Sequence, residues 1–105
     1  MMLEFSKITG IRGRVLRGKS RVQHIAEARQ MFYLLLREKT DLTYQEIARK
    51  CNRDSHSTVV YGVRKMRTLL EMGDPQAVDM WDEIKNIKTY EEQRRIKSYR
   101  ANRNI

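Results

Sequence analysis

Apolar residues recur along this chain three and four positions apart, the spacing of one helix face, with no strict alternation of the kind that marks a half-buried strand. The clearest run is residues 22–39, where Ile25, Ala28, Phe32, Leu35 and Leu36 form one wide stripe. Ser20 followed by Gln23 predicts a capping box at its start, and Arg29, Arg37 and Lys39 are expected on its other faces. A shorter helix is predicted over residues 43–50, burying Ile47 and Ala48. Thr43 with Glu46 reads as a second capping box, and Leu42 with Ile47 as a hydrophobic staple around it. After a polar turn at 52–54, Ser55 can cap a helix running to Met72, with Val59, Val63, Met66 and Leu70 as its buried stripe. Gly73 ends that helix. Asp74-Pro75, a capping residue followed by proline in the first turn, opens another that carries Val78, Met80, Trp81, Ile84 and Ile87. Upstream, Leu3, Phe5 and Ile8 predict a helix over 3–9 stopped by Gly10. Ile11 begins a second short piece whose Val15 and Leu16 tuck inward.

The pattern predicts a compact all-α domain over residues 1–87, followed at 88–105 by a basic tail or helix extension carrying Tyr90, Ile96 and Tyr99. Two helices joined by a short polar turn, 43–50 and 56–72, read as a helix-turn-helix. Ser55, His56, Ser57 and Thr58 stand at the tip that such a motif inserts into a DNA major groove. The apolar stripes themselves are core positions and carry no cofactor site.

Composition sharpens this picture through charge. The 105 residues have a formal net charge of +9, and a small basic domain attracts polyanions. Residues 1–67 hold 15 Lys/Arg against 6 Asp/Glu, residues 68–87 carry a net −4, and residues 88–105 a net +4. Basic character therefore accompanies the helix-turn-helix and the tail and skips the helix between them, which suits one nucleic-acid-facing side better than uniform solvation. Cys51 is the only cysteine, so no internal disulfide forms, and its place at the apolar end of a helix suits a small buried residue. With His24 and His56 it makes no zinc set, and neither paired carboxylates in an apolar setting nor a nucleophile–base pair can be assembled. An enzyme is not expected, nor a cofactor or a metal. The chain has no signal-peptide h-region and no apolar run long enough to cross a membrane, which predicts a cytoplasmic, nucleoid-associated protein with no membrane partner.

Four blocks, in order, resemble the C-terminal DNA-binding domain of the bacterial replication initiator DnaA family. They are Ile8-Thr9-Gly10-Ile11, Leu16-Arg17-Gly18-Lys19-Ser20-Arg21, Glu27-Ala28-Arg29-Gln30, and His56-Ser57-Thr58-Val59 followed by Arg64-Lys65. The likeness spans about residues 3–87. It implies an all-helical fold with a Trp repressor-like helix-turn-helix. It also implies a basic loop whose arginine, at the position of Arg21, enters the minor groove, while His56, Ser57 and Thr58 read bases in the adjoining major groove. Two departures stand out. The family usually has Gly-Gly-Arg-Asp before the histidine, and here the positions read Asn52-Arg53-Asp54-Ser55. Either Ser55 replaces a base-reading aspartate, or Arg53-Asp54 keep their roles through a local shift. Aspartate accepts from cytosine N4 and serine reads less selectively, so the target site can differ from the family's usual box. Gln23 stands where a basic residue is common. The initiator's ATPase module is expected to be missing, since the sequence has no Gly-x-x-x-x-Gly-Lys-Ser/Thr phosphate loop.

On this reading the base-contacting residues are Arg21, Ser55, His56, Ser57 and Thr58, and the phosphate-contacting residues are Lys19, Arg29, Arg53, Arg64 and Lys65. The partner is double-stranded DNA, with the tail as a candidate protein contact and the oligomeric state left open. Other readings of the same residues remain. His56 can serve only near the cap, Thr58 can bond back to its own helix, and Arg21 can be a solvated loop charge. Tyr44, Tyr61, Tyr90 and Tyr99 among basic residues permit stacking of single-stranded RNA, and a helix-turn-helix can also serve as a protein-interaction adaptor.

Overall fold

The computed structural model describes residues 1–89, and the tail positions Tyr90, Ile96 and Tyr99 lie outside them. Among the described residues six helices follow one another: α1 (Met2–Thr9), α2 (Gly13–Leu16), α3 (Gln23–Lys39), α4 (Tyr44–Lys50), α5 (His56–Glu71) and α6 (Pro75–Ile84). No strand is present among these residues, and no helix is long and apolar enough to cross a membrane.

Helix α3 is the axis of the domain. Met31 through Leu36 are buried without a break, so this stretch is enclosed on every side rather than along one stripe. Helices α1, α2, α4, α5 and α6 all pack against it. Each fully buried Leu, Phe or Met contributes about 1.5–3 kcal/mol of burial, which makes this helix the largest single source of stability. Phe5 of α1 meets Phe32 with ring centroids 4.9 Å apart and planes tilted by 53°, an arrangement favourable for aromatic pairs.

The start of α3 departs from expectation. Its N-cap is Val22, without a side-chain cap, while Ser20 Oγ accepts from the Val22 N–H at 3.3 Å. Gln23 is therefore the first helical residue rather than the third, and it cannot reach back to close a box; its Nε2 donates instead to Glu27.

Helix α5 crosses α3 through Val59, Gly62, Val63 and Met66, with Leu70 only half-buried. Gly62 sits where the helices approach most tightly: a Cβ there would lie 3.0 Å from both Gln30 Cγ and Tyr33 Cδ2. Gly73, at φ +73°, closes α5, and Asp74 accepts from the Ala77 N–H at 3.0 Å to start α6 with Pro75 in its first turn. Ala77, Ile84 and the following Ile87 are buried, while Val78, Met80 and Trp81 are half-buried.

Candidate nucleic-acid interface

The helix-turn-helix is held rigid by local chemistry at each joint. Thr43 Oγ1 accepts from the Glu46 N–H at 3.1 Å, and the Glu46 carboxylate accepts from the Thr43 N–H at 3.2 Å, completing the predicted box. The Thr43 N–H first, and then the Thr43 side chain, hold the Glu46 carboxyl below its usual pKa. Arg37 lies over the Tyr44 ring at 4.5 Å and donates to the Leu42 carbonyl at 2.9 Å, fastening the α3–α4 connection.

The turn itself is a Schellman closure. The Arg53 N–H donates to the Ala48 carbonyl at 2.7 Å and the Asn52 N–H to Arg49 at 3.1 Å, with Asn52 left-handed at φ +57°. Asparagine tolerates that backbone better than any residue except glycine. Ser55 then caps α5, its Oγ accepting from the Ser57 N–H at 3.1 Å. Ser55, His56, Ser57 and Thr58 are all exposed, and the chain turns into the core only at Val59. Four exposed polar side chains thus stand at the start of a well-anchored helix.

The basic loop lies against this turn. Arg53 Nη2 donates to the carbonyls of Leu16, at 3.1 Å, and Gly18, and its Nε donates to Cys51 at 3.1 Å. From the other side Arg29 donates through Nε to Leu16 at 2.8 Å, through Nη1 to Ser20 at 3.1 Å and through Nη2 to Val15 at 3.1 Å. Asn52 Nδ2 lies 3.5 Å from the Arg17 carbonyl, the outer limit of a hydrogen bond. The carbonyls of the loop thereby face inward, and Arg17, Lys19 and Arg21 remain exposed on its outer side.

Two of the expected phosphate contacts, Arg29 and Arg53, have guanidinium groups turned toward main-chain carbonyls. Arg29 is only 7% exposed and its guanidinium is engaged with three carbonyls; burial, then the nearby Arg53 charge, lowers its pKa. Arg53 is half-buried and equally engaged, so it does not take the outward role that a shifted Arg53-Asp54 would have required. Both side chains hold the loop in place of presenting a charge to solvent. Lys19 and Arg64 are exposed and Lys65 is half-buried, with the last two farther along α5. Sequence reasoning gave no contact role to Arg17, Arg49 and Lys50, exposed cations on the loop and at the end of α4, and named Tyr61, 64% exposed one turn past Ser57, only as a base-stacking candidate. Membership of the Arg17–Arg21 block marked Arg17, and its place between two exposed helical positions marked Tyr61.

Beneath the loop, burial pushes the Cys51 thiol up to about 11 and the Tyr33 phenol up to about 12. Both side chains are 1% exposed, and such a thiol is not a nucleophile at neutral pH. Among the described residues no group of three or more His, Cys, Asp or Glu is placed to hold a metal ion.

Comparison with known proteins agrees with this arrangement. The family model described as the bacterial DnaA protein helix-turn-helix matches residues 4–66. Chromosomal replication initiator protein DnaA of Enterococcus faecalis is 36% identical over 84 residues, 80% of this chain and 19% of that protein. Those of Streptococcus mutans and Streptococcus pyogenes are 30% and 29% identical, over 79% and 76% of this chain and 18% of each relative. The chain spans about a fifth of the length of these relatives. With the helix-turn-helix, its capped α4 and α5 and the basic loop all inside or beside the matched segment, the chain belongs to the bacterial DnaA helix-turn-helix family.

Proposed function

We propose that this domain binds double-stranded DNA with sequence preference, through the start of α5 in the major groove and the Arg17–Arg21 loop in the adjacent minor groove. The observation that carries the reading is the fixed juxtaposition of four exposed polar residues at the α5 tip with a cationic loop fastened to the preceding turn. In this mechanism Ser55, His56, Ser57 and Thr58 meet base edges. The hydroxyls donate or accept, and the Thr58 methyl packs on a thymine methyl; each good contact supplies about 1–3 kcal/mol of discrimination. Ser55 Oγ already accepts from the Ser57 N–H, which leaves its own hydrogen and a second lone pair for a base. Arg21 enters the narrow groove, where A·T-rich steps concentrate negative potential. Lys19, Arg64 and Lys65 neutralise phosphates, joined by Arg17, Arg49 and Lys50, and set affinity and its salt dependence. Such a domain works at the chromosome, as a small regulator or a replication accessory.

The RNA-stacking reading is less supported, because Arg37 already lies over one face of the Tyr44 ring. Selection from a random duplex pool, followed by titration of the selected site, tests the proposal. The parent should prefer that duplex to single strands and RNA. His56→Ala should flatten base preference at the contacted positions, and Arg21→Ala should weaken A·T-containing sites most. Parent-like binding of every duplex by both variants would remove this site assignment.

A further inference from the structure

We infer that Arg53 is a positioning residue that sets the spacing between the two groove-reading elements and contributes to binding through Arg21. The inference rests on the duplex-binding reading above, but its physical core is a feature of the free protein. One guanidinium bridges three carbonyls from two segments more than thirty residues apart in sequence: Leu16 and Gly18 of the loop, and Cys51 at the end of α4. Two residues later the chain reaches Ser55, the cap of α5. On the loop side, the Gly18 carbonyl held by Arg53 and the Ser20 carbonyl held by Arg29 flank Lys19 and immediately precede Arg21. Pinning both carbonyls inward leaves the side chains of Lys19 and Arg21 outward.

Gly18 fits this path closely. A Cβ there would lie 3.2 Å from the Arg14 carbonyl oxygen and 3.4 Å from that of Val15, so the loop turns tightly before presenting its carbonyl to Arg53. Arg29 alone fastens the loop to α3. Among the described residues, Arg53 is the charged side chain that fastens it to the turn that sets the α5 tip. The planar fork is required: one nitrogen serves two loop carbonyls while another serves Cys51, and an ammonium on a flexible stem does not reproduce that geometry. Without the fork, the loop must be ordered against the helix on binding, at the entropic cost of fixing at least one residue, equivalent to about tenfold in affinity.

The test uses the 105-residue chain, with Arg53→Lys and Arg53→Gln alone and combined with Arg21→Ala, on the selected duplex and as free protein. Arg53→Lys keeps the charge, so its salt slope should match the parent's while affinity falls about tenfold. Arg21→Ala should cost far less in either Arg53 background than in the parent, the signature of coupling. In the free variants, the Arg17 and Gly18 amides, which donate to the Gly13 and Val15 carbonyls, should lose hydrogen-exchange protection while α3 and α5 amides keep theirs. Recovery of parent affinity by Arg53→Lys, additive losses with Arg21→Ala, or unchanged loop protection would each overturn the inference. If the parent binds no duplex, the exchange measurement still decides whether Arg53 clamps the loop, and the duplex reading fails separately.

Discussion

Arg29→Ala separates a structural arginine from a phosphate-binding one by size of effect. A surface arginine that only meets phosphates can be removed within about 0.5 kcal/mol of the parent's folding stability. Arg29 donates three hydrogen bonds at 2.8–3.1 Å, two of them to part-buried carbonyls and one to a buried one. Hydrogen bonds to a charged group contribute about 1.5–3 kcal/mol each, but the loop is near solvent and water can reach the outer carbonyls once the side chain is gone. Removal also relieves repulsion from Arg53, the second cause of the lowered Arg29 pKa. Two effective bonds together with lost packing of the aliphatic stem give about 3–5 kcal/mol. A domain of this size loses about 4–8 °C of Tm per kcal/mol, so melting should fall by roughly 12–40 °C. Urea unfolding of the DNA-free protein, followed by helical circular dichroism, reads the change directly. Stability within 0.5 kcal/mol of the parent, with the logarithmic salt slope of duplex binding reduced by about 0.9, would refute the reasoning and return Arg29 to the phosphate set.

Gly62→Ala gains about 1 kcal/mol of helix propensity but presses a methyl to 3.0 Å from the buried Tyr33 ring; with overpacking at about 1–3 kcal/mol, net destabilisation of about 1 kcal/mol is expected in urea unfolding, and more for Gly62→Val. Thr43→Ala removes the α4 cap and should cost about 1 kcal/mol by the same measurement. Cys51 and Tyr33 both have folded pKa values raised, to about 11 and about 12, so the native state holds these protons more tightly than the unfolded chain. Their contribution is whole below the ordinary thiol value of 9.0 and is lost as pH climbs toward about 11 for Cys51 and about 12 for Tyr33. Stability profiles should therefore fall from pH 9 upward, and Cys51→Ala should delay that fall to the phenol range above 10. Folded protein should also react slowly with a thiol-specific disulfide reagent at pH 8, against rapid reaction in urea.

The helices were legible because their signals are local. Thr43 and Glu46, or Asp74 and Pro75, are neighbours whose side chains satisfy adjacent backbone groups whatever the rest of the chain does. Ser20 and Gln23 carry a similar pattern and fail, because Arg29 takes the Ser20 carbonyl and α3 begins later than the letters imply. The inward turn of Arg29 and Arg53 had no sequence signature at all. Their acceptors are main-chain carbonyls, which every residue possesses, and some lie 35 or 37 positions away. Charge alone marks an arginine as a candidate for solvent or phosphate and is blind to such acceptors. Gly62 was passed over for a related reason: a helical glycine reads as a weak point until the neighbouring helix is seen against it.

Turning two arginines inward leaves the inference of a polyanionic partner intact, and the physics explains why. An electrostatic field sums over positions, so it does not require each charge to touch the ligand. The acceptors of Arg29 and Arg53 are neutral carbonyls, and neither charge is cancelled by them. Both cations still sit beneath the loop that carries Arg17, Lys19 and Arg21, while Asp79, Asp82 and Glu83 are exposed on α6, with Asp82 paired to Lys85 at 3.1 Å. Charge distribution along the sequence thus reports on the field and not on which acceptors an individual arginine meets. The same guanidinium groups both deepen the positive potential at the loop and use their hydrogen bonds to hold its shape, which, for the duplex binding proposed above, ties attraction to the geometry that would read it.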